Sequence, residues 1–178
     1  LSVIQFVVER VNGRVPVIAS TGGNNTEEVV SNSKSAEAIG VDGLLVVTPY
    51  YNKTSQAGLV RHYFTVADAV ETPIIVYNVP GRTGLNILPQ TMAELCTHEN
   101  IVGTKEASGN IEQIVNIAAL CPQCDIYSGN DDHVLPVLSI GGKGVISTIA
   151  NIVPGEMHAL CEAFFKGDIQ LARQLQLQ

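Results

Sequence analysis

The amino-acid sequence predicts an α/β protein built as a (β/α)8 TIM barrel, here a partial barrel of about six strand–helix units. Three observations carry this. Six short runs rich in Val, Ile and Leu recur along the 178 residues, nearly continuous instead of alternating with polar residues, as strands covered on both faces require. The first four begin near residues 15, 43, 73 and 100, close to the roughly 31 residues per unit of a complete barrel. The runs also end in polar or reactive residues, and a barrel brings all such ends to one mouth. An open doubly wound sheet shares the repeat but spreads its strand ends along an edge, with a site only at its switch point.

The elements follow in order. "LSVIQFVVERVNGR" reads as an amphipathic helix already under way, without the basic start and small-residue cleavage site of a signal peptide. "VPVIAS" is the first strand and runs into "STGGNN". The helix in "NNTEEVVSNSKSAEAIGV" opens on Asn/Thr capping and early Glu, with Val29, Val30, Ala36 and Ile39 on one side. "GLLVVTP" is a strand ending in "TPYYN", and "SQAGLVRHYFTVADAV" a helix. "PIIVYNVP" leads into "YNVPGRTG", followed by the helix "LPQTMAELCTH" with Pro89 near its start. "NIVGTKEAS", the helix "NIEQIVNIAALC", then "DIYSGND" and "GVISTIAN" complete the strands, and "IVPGEMHALCEAFFKGDIQLARQLQLQ" reads as two helices interrupted by "KGD". Six strands cannot close a barrel without two raw edges. The expectation is therefore one barrel domain over residues 1–178, incomplete at both ends, lacking the first two strands and the C-terminal helical region.

Composition narrows the function. Hydrophobic residues make up 46% and charged residues 15%, which suits a globular core and not a disordered chain. A net charge of −7 disfavours nucleic-acid binding by broad phosphate contact, while one local arginine can still dominate a pocket for a small anion. No apolar run reaches the length of about 18 residues that spans a bilayer. The four cysteines include Cys121 and Cys124 in "CPQC". Zinc would need a second pair at suitable spacing, so reduced thiols in a loop and a cytoplasmic location are expected, with no metal site.

Lys105 is the most informative residue, because it interrupts the apolar strand of "IVGTKEASG". Burial penalises its charged form, and a neutral amine can attack a ketone to form a Schiff base that withdraws electrons from the neighbouring carbon. The alternative is a salt bridge with Glu106 or another acid, although adjacent strand residues face opposite ways. Tyr77 ends the preceding strand; it is either a core aromatic with a satisfied hydroxyl or a proton relay for that amine. Arg82, on a loop shaped by Pro80 and two glycines, is surface charge or a bidentate grip on a carboxylate. Tyr50 and Tyr51 read as an interface pair. "TGGNN" and "GGKG" lack the context of a phosphate loop, and His62, His98, His133 and His158 share no spacing.

Taken together, "YNVPGRTG" and "GTKEASGN", with "TPYYN" upstream and "GVIS" downstream, closely resemble the dihydrodipicolinate synthases (4-hydroxy-tetrahydrodipicolinate synthases). These belong to the class I pyruvate-dependent aldolase and lyase barrels. The resemblance covers essentially the whole chain. It implies a lyase of lysine and diaminopimelate biosynthesis that condenses pyruvate with L-aspartate 4-semialdehyde. Lys105 would form the Schiff base, Tyr77 would move protons, Arg82 would hold a substrate carboxylate, and Ile146 would contact pyruvate through its backbone. Tyr51 would reach across a dimer into a neighbour's relay, in a homotetramer made of two such dimers. Asn24, Glu28 and Tyr50 match positions that bind inhibitory lysine in some members. The covalent link to substrate replaces any cofactor.

Sialate lyases keep the tyrosine and lysine but usually carry an apolar residue where Arg82 stands, so a sugar-acid aldolase is the second reading. A non-catalytic metabolite-binding relative is the third. Two features depart from the family pattern: Thr104, where an aliphatic residue is usual, and "CPQC". The Thr-Thr-Gly-Glu motif whose threonines complete the family's relay falls before residue 1, so these 178 residues alone are expected to be inactive.

Overall fold

The computed structural model describes residues 1–178. Helix α1 (Ser2–Val11) leads into strand β1 (Ile18–Ser20), α2 (Thr26–Ile39), β2 (Gly43–Val47), α3 (Gln56–Ala67) and β3 (Ile74–Asn78). A single turn, α4 (Pro80–Thr83), precedes α5 (Pro89–Leu95), β4 (Ile101–Glu106), α6 (Ile111–Leu120), β5 (Asp125–Ser128), α7 (Val134–Ser139) and β6 (Gly144–Val145); α8 (Pro154–Phe165) and α9 (Ile169–Gln176) follow.

All six strands form one sheet in chain order, and each neighbouring pair is parallel. A doubly wound sheet reverses its strand order at a switch point. Here there is no reversal, so the sheet is six strands of a barrel wall. The helices start where the caps predict. The Asn25 side chain accepts from the Glu27 and Glu28 amides, Ser55 from Gly58, Asn110 from Gln113 and Asp168 from Leu171. Pro80, Pro89 and Pro154 open their helices, where a missing N–H costs nothing.

The principal core lies between the sheet and its helices. Val46, Val76, Thr104 and Ile126 pair in register across four strands as one buried row. Val46, Val76 and Ile126 share a cluster with Leu59, Tyr63, Met92, Ile114 and Ile117 from α3, α5 and α6. Tyr63 keeps its hydroxyl satisfied there by donating to the Val46 carbonyl at 3.0 Å. The next positions, Val47, Tyr77, Lys105 and Tyr127, form the adjacent row, and strand alternation turns them to the opposite face.

One irregularity decides which residues share that row. Ile74 pairs with Ile101, but Ile75 pairs with Gly103, so Val102 is an extra residue on β4. Regular pairing from Ile101 would place Lys105 opposite Asn78, among the helices. The bulge moves the register by one, and a one-residue step reverses every side chain after it.

Several sequence expectations are refined. "GVISTIAN" holds only a two-residue strand, and "VPVIAS" only three paired residues. "YNVPGRTG" contains the α4 turn, closed by Gly84 at φ 70°, where a side chain would be strained. "CPQC" is not a solvent loop at its sulfurs. Cys121 and Cys124 are buried in the core with Cys96, whose thiol touches both; the contact with Cys124 and burial push the Cys96 thiol up, and burial pushes Cys121 up to about 12. Such thiols stay protonated and inert. No helix is long and apolar enough to cross a membrane.

Candidate active site

Lys105 enters the site from the fifth position of β4, directly opposite Tyr77 on β3. It is 9% exposed, and its Nζ lies 4.3 Å from the centre of the Tyr77 ring. Burial holds the Lys105 amine below its ordinary proton affinity, and the nearby Asp131 carboxylate opposes that shift. Burial pushes the Tyr77 phenol up, while the positive charge of Arg82 pulls it back. The result is an amine biased towards its nucleophilic form, beside a phenol that keeps its proton.

The wall around the amine is tight. A Cβ on Gly129, at the end of β5, would stand 2.6 Å from the Ala107 Cβ and 3.2 Å from the Lys105 Cε. Only glycine lets the strand pass this close to the lysine stem. Ile146 extends β6 by donating its amide to the Ser128 carbonyl at 2.9 Å.

Arg82 stands at the end of α4, exposed, in an open cleft of about 620 Å³ with Tyr50, Tyr51 and Lys53. Tyr51 is 89% exposed and has a left-handed backbone, φ 72°, a costly conformation for a tyrosine. Asn24, in the loop just before α2, and Glu28, in its first turn, do not line this cleft. The Asn24 carbonyl instead accepts from Asn52 at 3.0 Å, joining the two loops. The sequence-predicted residues thus divide into Lys105 with Tyr77 and Arg82, Tyr50 with Tyr51 beside that arginine, and the Asn24–Glu28 edge.

Near Lys105, Asp131 escaped the sequence reading, and Glu106 entered it only as a salt-bridge alternative. Asp131, in "SGNDD", accepts from the amides of Thr148 and Ile149 at 3.3 and 3.1 Å and acts electrostatically on Lys105. Its polar strand-end setting was a signal, but nothing in the chain showed which way it turns. Glu106 does not pair with Lys105; it is 1% exposed and receives donors from Asn78, Ser108 and Gln113.

The fold and this pair of rows define the class: a parallel β/α barrel wall carrying an amine and a phenol side by side on one face. The profile of the dihydrodipicolinate synthetase family matches residues 1–178, and the chain belongs to that family. It is 59% identical over 178 residues to the 4-hydroxy-tetrahydrodipicolinate synthase of Caldicellulosiruptor bescii and 56% identical over 176 residues to that of Clostridium tetani. These matches take in 100% and 98% of this chain and 60% of each relative, so the chain spans about 60% of the length of the curated relatives it matches. Among solved structures it superposes on dihydrodipicolinate synthase from Thermotoga maritima with a TM-score of 0.96, at 41% identity over 98% of this chain and 61% of that one. The chloride-inhibited enzyme from Acinetobacter baumannii, complexed with pyruvate, gives 0.95 at 41% identity over 98% and 60%.

Proposed function

We propose that the intact protein condenses pyruvate with L-aspartate 4-semialdehyde to give 4-hydroxy-tetrahydrodipicolinate, through a Schiff base on Lys105. The observation that carries this reading is the register pairing of Lys105 with Tyr77, with Nζ 4.3 Å from the phenol ring. The neutral amine adds to the keto carbon of pyruvate, and the carbinolamine loses water as Tyr77 passes a proton to the departing hydroxyl. Loss of a methyl proton converts the iminium to an enamine, whose carbon attacks the aldehyde and regenerates an iminium; the amino group of the aldehyde substrate then adds to that carbon, closing the ring and expelling Lys105 as the free amine. Arg82 holds a carboxylate of the incoming aldehyde, and the Ile146 backbone contacts pyruvate. The covalent iminium serves as the electron sink, so no metal or cofactor enters.

The family relationship supports the remaining assignments. Tyr51, projecting into solvent on its strained loop, completes the relay of a neighbouring copy in a dimer, and two dimers form a homotetramer. Asn24, Glu28 and Tyr50 take inhibitory lysine at the edge of that contact. The enzyme works in the cytoplasm, in lysine and diaminopimelate biosynthesis. Borohydride trapping of the intact protein with pyruvate tests the core of this: a stable adduct on Lys105 is expected, with none in Lys105→Ala. Comparing turnover of the carboxylate-bearing aldehyde with a sugar aldehyde separates the synthase from a sugar-acid aldolase.

A further inference from the structure

We infer that Glu106 is a positioning residue whose buried carboxylate locks the strand ends carrying Tyr77 and Lys105 to the stem of the loop carrying Arg82. The inference rests on the reaction proposed above. Asn78 and Glu106 pair in register immediately after Tyr77 and Lys105, so they lie back to back with that pair, on the helix side of the sheet. Asn78 Nδ2 donates to both Glu106 oxygens, at 3.2 and 3.0 Å. The Ser108 amide and Gln113 Nε2 donate to Oε1 at 2.9 and 3.4 Å. Each of these partners donates to the carboxylate, and none of the molecule's ion pairs includes Glu106.

The lattice reaches the loop from both sides. Asn78 Oδ1 accepts from the Ile87 amide at 3.1 Å, which fixes its orientation, and its Nδ2 also donates to Asn86 Oδ1 at 2.9 Å. Asn86 and Gln113 exchange bonds at 2.8 and 3.2 Å, and the Asn86 carbonyl accepts from Gln56 on α3 at 2.8 Å. Residues 79–85, Arg82 among them, are therefore stapled at both ends. An unpaired buried carboxylate is a costly way to fill a core. Here it makes one rigid unit of four side chains, Asn78, Glu106, Asn86 and Gln113, that approach from two strands, a loop and α6.

The test is Glu106→Gln in the intact protein. This variant keeps the shape but turns one acceptor into a donor facing Asn78 Nδ2, and Asn78 cannot flip without abandoning Ile87. The rate of borohydride-trapped pyruvate adduct should fall roughly ten- to a hundredfold, the cost of a small misplacement. Asn78→Asp combined with Glu106→Gln restores an acceptor opposite a donor and leaves Ile87 its partner; with the Asn86 and Gln113 amides reversed together, Asn86 then donates to the new carboxylate, and the double variant should recover most of the rate. If the single variant does not fold, Gln113→Met withdraws one donor from Glu106 together with both bonds to Asn86, and should slow trapping about fivefold. Wild-type trapping in Glu106→Gln, or an exchange no faster than the single variant, overturns the inference and leaves the proposed function standing. A wild-type protein that traps no pyruvate overturns the function instead. The inference is then read from Lys105 labelling by trinitrobenzenesulfonate, and an unchanged labelling rate in Glu106→Gln overturns it.

Discussion

At the scale of single residues the proposed chemistry depends on how readily Lys105 gives up its proton. The folded protein lowers that affinity by burial, while the unfolded chain holds the proton at an ordinary lysine value. Between the two values the unfolded state binds more protons, so this group's contribution to stability rises with pH and its penalty is fully present below the folded value. Adduct formation should follow the same titration and increase with pH. Asp131 works against the shift, and its amide variant still offers one oxygen to the Thr148 and Ile149 amides. Asp131→Asn should therefore move the midpoint of the trapping-against-pH curve to lower pH; a midpoint that stays or rises contradicts the role given to Asp131. Lys105 and Tyr77 were legible in the sequence because each breaks an apolar run. Asp131 and Glu106 were not, since their partners come from segments distant in the chain.

At the scale of elements, the buried row Val46, Val76, Thr104 and Ile126 contains one polar member. Thr104 is 0% exposed, and its hydroxyl has no hydrogen-bond partner. Thr104→Val removes an unsatisfied group from between two aliphatic neighbours and should stabilise the protein by about 1 kcal/mol, seen as a higher melting midpoint. A lower midpoint would show that the hydroxyl has a partner in solution. The strands and most helices could be read from caps, prolines and apolar runs, because those signals are local. The α4 turn hid inside a stretch that looked like loop, and α7 was masked by Pro136, which the structure places within that short helix. The extra residue of β4 has no local signature. Strict alternation from Ile101 would have put Lys105 on the same face as Ile101, the opposite of what the pairing shows.

At the scale of the whole molecule, barrel closure is the governing term. Strands β1 and β6 are each paired on one side only, and Ile18 on β1 is substantially exposed. These 178 residues expressed as a separate polypeptide should self-associate with increasing concentration, as sheet edges do, and should trap no pyruvate; sedimentation and the borohydride assay read the two outcomes. The barrel was legible from repeat length and polar strand ends, whereas strand order, which excluded the doubly wound alternative, needed the structure. The spare residue at Val102 has a wider consequence. It gives β4 a point of slack, so the two halves of the strand keep separate phase. Losing Val102 would straighten the kink and leave Lys105 facing the mouth, whereas losing one residue between Gly103 and Lys105 would turn the amine towards the helices. The direction of the Lys105 amine is thus insulated from changes in chain length on one side of Gly103 and fully exposed to them on the other.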